Sequence, residues 1–186
     1  MITVSLCMIV KNEERTLRRC LDSVRGLMDE IIIADTGSTD RTVEIARDCG
    51  AAVCTFPWCD DFAAARNFAF SKATMQYCMW LDADDVLEPA DREAFRKLKE
   101  TLDPDTDVVM LRYHTGFDES GKPAFSYWRE RLLRRAAGFR WQGAVHEAIA
   151  PAGKIVYSDA AVSHRKLGPD DPDRNLRIFE GLLAAG

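Results

Sequence analysis

Two hydrophobic periods alternate through the first hundred residues, and that alternation limits the fold more than any other feature of the chain. Ile2 to Val10 (ITVSLCMIV) is a nearly continuous apolar run rich in β-branched residues, which reads as a strand buried on both faces. Leu17, Cys20, Leu21, Val24 and then Leu27 or Met28 recur at spacings of three and four. They form one apolar helical face, with Gly26 near its end. Glu30 to Asp35 is a second buried strand. Val43, Ile45 and Ala46 carry a short helix that Gly50 can end, and Ala52 to Phe56 is a third strand. Phe62 to Lys72 is helical in pattern, and Tyr77 to Leu81 is a fourth strand. Pro89 suits the first turn of a helix running through Phe95 and Leu98 to about Leu102, where Asp103-Pro104-Asp105 breaks it. Strands separated by helices imply a mostly parallel sheet covered on both faces.

After that point the pattern changes. Val108 to Tyr113 and Phe125 to Leu133 read as an antiparallel pair across the Asp118-Glu119-Ser120-Gly121 turn. Short strands near Ile155–Tyr157 and Ala161–His164 follow, and Asp173 to Ala185 has the pattern of a last helix. That helix has no capping residue before the sequence stops, as expected of a piece of a longer protein. The reading is one domain: an α/β half over residues 1–102, then a smaller mixed or antiparallel half over 103–186.

At 186 residues the chain can bury roughly 70% of its extended surface without disulfide or metal staples. Its 25 Lys and Arg against 30 Asp and Glu leave a net charge of −5, so no electropositive field attracts nucleic acid. No apolar run reaches the roughly 18 residues of a membrane span. Ile2–Val10 lacks the basic flank and cleavage site of a secretory signal. The six cysteines, at 7, 20, 49, 54, 59 and 78, include no C-x-x-C pair and read as buried reduced thiols. A cytoplasmic location is the expectation.

In an open parallel sheet, ligands bind beyond the carboxyl ends of the strands where strand order reverses. The ends of the first, second and fourth strands offer Asn12 and Glu13, then Asp35 and Ser38, then Asp82 and Asp84. Carboxylates just off a buried strand need a cation or many donors, because isolated buried charge is costly. A hard divalent metal, Mg²⁺ or Mn²⁺, suits Asp82-Ala83-Asp84, although a solvated acidic turn ahead of the Pro89 helix has the same sequence. Asp35-Thr36-Gly37-Ser38-Thr39-Asp40 can be a helix cap, and Asp35 can also accept the imide N–H of a uracil or guanine. Arg66, among Ala63, Ala64 and Ala65, can fork onto a phosphate or pair at the surface with Asp60 or Asp61. His164 ends an apolar strand and is a candidate metal ligand ahead of His146 and His114. Glu147 can be a general base or an ordinary ion-pair partner. No G-x-G-x-x-G follows the first strand and no P-loop occurs anywhere.

Four segments taken together, Val4–Glu14, Ile33–Asp40, Ala65-Arg66-Asn67 and Trp80–Asp85, resemble the family-2 glycosyltransferases of the GT-A fold. Gly143-Ala144-Val145-His146-Glu147 and Ser163-His164 resemble a bacterial branch that often precedes helical repeats. The resemblance implies a Rossmann-like sheet and transfer of a sugar, with inversion, from a nucleotide-diphosphate sugar, most readily a UDP-sugar. The acceptor would be a saccharide, lipid or protein. By the same resemblance Asp35 would bind the base, Val10, Asn12, Glu13 and Ser38 would line its pocket, and Arg66 would reach the diphosphate. Asp82 would touch the ribose or sugar, Asp84 would hold Mn²⁺ or Mg²⁺ with His164 as its second ligand or as a diphosphate contact, and Glu147 would be the base, with Asp85 an alternative. Tyr127-Trp128-Arg129-Glu130 stands in place of the Q-x-x-R-W of the processive synthases, which favours single additions.

Two other readings compete. Leu81–Leu87 also resembles the nucleophile motif of haloacid-dehalogenase phosphatases, in which Asp82 would attack phosphate. That motif is expected near the start of the chain with a G-D-x-x-x-D downstream, and the sequence has neither. A non-catalytic nucleotide-sugar-binding module is the third reading, and the intact Arg66, Asp82, Asp84 and His164 speak against decay.

Overall fold

The structure, a computed structural model, describes residues 1–167 and 173–185. The elements run β1 (Val4–Val10), α1 (Leu17–Ser23), β2 (Glu30–Asp35), α2 (Thr42–Asp48), β3 (Ala52–Thr55), α3 (Phe62–Ser71), β4 (Tyr77–Trp80), β5 (Asp85–Val86) and α4 (Pro89–Thr101). They continue as β6 (Val108–Phe117), β7 (Pro123–Arg134), β8 (Ile155–His164) and α5 (Arg174–Ala185).

All eight strands form one sheet in the order β3-β2-β1-β4-β7-β6-β8-β5. β1 pairs in parallel with β2 and β4, and β2 with β3, as the alternation of strand and helix requires. β1 is apolar throughout because both its faces are covered. Val4, Leu6, Met8 and Val10 face the core that includes Leu17, Cys20, Ile45 and Phe95 from α1, α2 and α4. Cys7 faces the α3 side, with Ala69 and Cys78. Each fully buried side chain of this size contributes about 1.5–3 kcal/mol.

β7 pairs antiparallel with β4 and β6 antiparallel with β7, so the second half extends the same sheet. The two short strands expected near residues 155–164 are one strand, parallel to β6, with a register shift opposite Met110–Arg112. There Ala161 N–H turns to the Asp91 carboxylate of α4 at 2.9 Å, which keeps the interrupted ladder satisfied. The first helix ends at Ser23, short of the expected Leu27 or Met28, because the chain turns with Gly26 at φ 75°. Val24 and Leu27 are buried all the same. All six cysteines are free. Cys7, Cys20 and Cys78 are buried as expected, whereas Cys59 is exposed.

β5 was not legible in the sequence. It pairs antiparallel with β8, which sets Asp85 opposite His164. An ion pair with no exposed surface on either side chain ties this strand to β7: Arg131 Nη1 lies 3.0 Å from Asp85 Oδ2 and donates also to the Trp80 carbonyl at 3.0 Å. The Arg131 guanidinium stands 3.7 Å from the Trp80 ring centroid and 4.3 Å from that of Tyr113. Arg131→Met leaves the Asp85 charge buried without its partner, and urea denaturation should show a loss of about 3–5 kcal/mol. A loss below about 1 kcal/mol would place the weight of the junction elsewhere.

Candidate active site

The carboxyl ends of β1 and β4 open into a cleft of about 550 Å³. Eight of the ten site residues expected from the sequence line it: Val10, Asn12, Glu13, Arg66, Asp82, Asp84, Glu147 and His164. Asp35 and Ser38 lie outside that lining and act on its wall. The Asp35 carboxylate is buried and accepts the N–H groups of Gly37 and Ser38 at 3.2 Å. Ser38 Oγ accepts the Asn12 N–H at 3.0 Å, and Asn12 Oδ1 accepts the Thr39 N–H at 2.8 Å. These bonds lock the ends of β1 and β2 together, with Asn12 at φ 57°. Glu13 donates its N–H to Thr42 at 2.6 Å. Burial raises its carboxyl pKa; the Thr16 hydroxyl opposes the rise and the nearby Asp84 and Asp82 charges add to it.

Arg66 is not a surface partner of Asp60 or Asp61, and its buried Nη1 has no hydrogen-bond partner among the described residues. Its Nε donates to Glu147 Oε1 at 2.7 Å and its Nη2 to Asp82 Oδ1 at 2.8 Å. Asp61 instead caps α3 through the Ala64 N–H, and Asp60 accepts the Trp58 indole N–H. The guanidinium is flanked by Trp80 and Trp141, whose ring centroids are 5.1 and 4.9 Å away. Such contacts stabilise a desolvated cation. Burial alone would lower the Arg66 pKa, but Asp82 and then Glu147 overcome it and raise it. Asp82 mirrors this: burial pushes its carboxyl up, and the charges of Arg66 and then Arg131 outweigh that and hold it below the usual range.

Glu147 reaches the cleft because its loop is tied at three points. Gln142 and Ala148 exchange backbone hydrogen bonds of 2.9 and 3.0 Å. Phe62 N–H at the start of α3 donates to the Ala144 carbonyl, and the Asn67 amide bonds both backbone groups of Trp141 at 2.9 Å. His146 sits at φ 56° in this loop and lines the cleft. Asn12, Asp60 and His146 are the non-glycine residues at positive φ among those described, and two of them line the cleft while the third holds Trp58, which also lines it. Such conformations cost of order 1–3 kcal/mol each and gather at functional sites.

The β5–β8 pairing delivers the third component. His164 Nδ1 lies 3.3 Å from both Asp84 Oδ1 and Asp85 Oδ1, and 3.0 Å from the Tyr113 hydroxyl. One ligand atom each from Asp84, Asp85 and His164 falls within 4.8 Å of the others. Oxygen and imidazole donors of this kind suit a hard or borderline divalent cation. Asp85 is the least available of the three: Oδ2 is held by Arg131 and the Asp82 N–H, and Oδ1 by Tyr113 at 2.9 Å. Its full burial also keeps it from an acceptor, so the alternative of Asp85 as base is not supported by its position. Sequence reasoning missed Arg131 and Tyr113, whose only trace was a charged and an aromatic residue within apolar strands. His114 lies outside the cleft lining, and burial lowers its pKa.

An open α/β sheet with an acidic cleft at its strand ends, extended by antiparallel strands that return a histidine to it, is the GT-A arrangement. Glucosyl-3-phosphoglycerate synthase of Mycobacterium tuberculosis superposes on 98% of this chain and 79% of its own with a TM-score of 0.59, at 16% identity. The chain belongs to glycosyl transferase family 2, whose profile matches residues 5–154. Among relatives, a TPR repeat-containing protein of Synechococcus elongatus is 41% identical over 151 residues, which are 80% of this chain and 36% of that protein. The prophage-derived glycosyltransferase SunS of Bacillus subtilis is 30% identical over 202 residues, 97% of this chain and 45% of its own. The chain thus spans less than half the length of both. No helix among the described residues is long and apolar enough to cross a membrane.

Without metal, the carboxylates of Asp84 and then Asp85 push the His164 pKa from 6.5 up to about 10. A raised folded-state pKa means that this contribution to stability is complete below pH 6.5 and is lost as pH rises through about 10. In EDTA, the stability difference between the protein and His164→Gln should therefore be largest near pH 6 and shrink towards pH 10, measured by denaturation at each pH. A difference constant over that range would mean that His164 is not held as a cation.

Proposed function

We propose that the chain is the donor-binding and catalytic domain of an inverting transferase that moves a sugar from a nucleotide-diphosphate sugar, with UDP the preferred nucleotide, to an acceptor hydroxyl. The observation that carries this reading is the convergence of Asp82 and Asp84, His164 and the Arg66-held Glu147 on one cleft from three separate parts of the chain. The mycobacterial synthase that shares the fold was crystallised with Mn²⁺, UDP and glucosyl-3-phosphoglycerate.

In this reading Val10, Asn12 and Glu13 form the nucleotide side of the cleft, and Asp35 and Ser38 hold its wall in shape. Asp35 Oδ1, which among the described residues accepts only the Ser38 N–H, keeps acceptor capacity for the imide N–H of the base. Asp82, fixed by Arg66, accepts from hydroxyls of the ribose or the transferred sugar. Asp84 and His164 hold a divalent cation, Mn²⁺ or Mg²⁺, which would supply Lewis-acid stabilisation of the charge that builds on the departing diphosphate. Glu147 is the base. Oε1 is occupied by Arg66, and Oε2 has no protein partner among the described residues. As the acceptor oxygen bonds to the anomeric carbon, its proton passes to Oε2, while the bond to the diphosphate breaks on the opposite face and its electron pair leaves with the nucleotide. Arg66 thus works as a positioning residue that keeps Glu147 aimed.

Glu147→Gln keeps the shape and the Arg66 contact but cannot take the proton. It should lose roughly 10²–10⁴-fold in turnover with nucleotide affinity unchanged. Equal losses in turnover and affinity would assign Glu147 to binding instead. UDP, GDP, ADP and CMP should be screened by thermal shift, each with and without Mn²⁺. A nucleotide at about 100 times its Kd stabilises by about 2.7 kcal/mol, or roughly 5–11 °C at this size. The expected result is a Mn²⁺-dependent shift with UDP that Asp84→Ala abolishes. A shift of equal size without metal would remove the metal from donor binding, and no shift with any nucleotide would overturn the transferase reading.

A further inference from the structure

A second cavity, of about 180 Å³, opens beside α3 and shares no lining residue with the cleft. Phe70, Leu133 and Phe139 make its apolar wall. Arg135 and Arg140 also line it, and both are exposed. Arg135 commits only its Nε, to the Met75 carbonyl at 2.8 Å, and Arg140 has no hydrogen bond or ion pair among the described residues. The neighbouring Arg134 differs, since Asp107 neutralises it through Nε at 2.9 Å. Two guanidinium groups, neither in an ion pair among the described residues although the Glu30 carboxylate feels the Arg135 charge, therefore border a hollow with one apolar wall. A guanidinium matches the two oxygens of a carboxylate or phosphate. An apolar cavity of about 150 Å³ is known to hold one benzene ring.

We propose that this cavity is a binding site for a small amphiphilic anion: a single-ring carboxylate or phosphate monoester, its ring against Phe70 and Phe139 and its charge on Arg135 and Arg140. The inference stands apart from the transferase reading. Its place in the fold gives it a route to the cleft. Asn67 lines the cavity and holds the backbone of Trp141, and the Phe70 and Trp141 rings lie 6.0 Å apart. The Trp141 ring also bears on Arg66, the residue that clamps Glu147.

Benzoate and phenyl phosphate are the probes, titrated into the whole chain by calorimetry and followed through the four tryptophan indole N–H resonances. The expected result is saturable one-to-one binding that moves the Trp141 signal and leaves that of Trp58, in the cleft, in place. Arg135→Ala/Arg140→Ala should weaken binding at least tenfold with an unchanged unfolding midpoint. Benzyl alcohol, which lacks the charge, and inorganic phosphate, which lacks the ring, should each bind at least tenfold more weakly than the probes. Absence of saturation up to about 10 mM, affinity unchanged in the double variant, or a shift at Trp58 in place of Trp141 would each overturn the proposal. None of these readouts depends on sugar transfer, so failure here leaves the transferase reading standing, and the reverse also holds.

Discussion

The Arg131–Asp85 ion pair is the contact on which the site depends. A fully buried pair is rarely a net source of stability, because desolvating two charges offsets most of their attraction. What it supplies here is position. Asp85 is one residue from Asp84 and pairs across the sheet with His164, so a carboxylate fixed by Arg131 and Tyr113 fixes both neighbours. Arg131 also donates to the Trp80 carbonyl at the end of β4, which anchors the start of the acidic turn. The strand that carries Arg131 comes from the second half of the chain, and the turn it anchors comes from the first.

Arg66 repeats this logic closer to the chemistry. One guanidinium, flanked by two indole rings, divides its donors between Asp82 and Glu147 and so sets the spacing of two carboxylates that arise 65 residues apart. Both would repel at that distance without it. Trp80 serves both arginines, for its ring lies within 5.1 Å of Arg66 and 3.7 Å of Arg131. The aromatic residues of the site are thus structural partners of its cations, and the carboxylates are what they present to the cleft.

The first half of the molecule was legible because its elements are local. The period of β1, the Pro89 start of α4 and the acidic turn after β4 are each written within a dozen residues, and the structure has them within a few residues of where they were read. The elements that went wrong are those decided by pairing. Residues 155–164 contain a polar break at Ser158 and Asp159 that reads as a gap between strands, yet pairing to β6 carries the chain through it as an irregular but continuous strand. Asp85–Val86 is too short to show any period and is a strand only because β8 lies beside it.

The same division holds for the site. By itself the sequence determined which chemistry was present: carboxylates at the ends of buried strands, an arginine among alanines, a histidine closing an apolar strand, and a glutamate after a glycine turn. Those features follow from local pattern, and eight of the ten residues did converge on one cleft. Only the tertiary structure decided what each group is bonded to. Arg66 turned inward to two carboxylates, Asp35 to its own turn, and Asp85 into the core, because a charge removed from water must take the nearest opposite charge or donor that folding brings within about 3 Å. Those partners lie between two and 81 residues away along the chain, and no sequence period encodes a contact of that range.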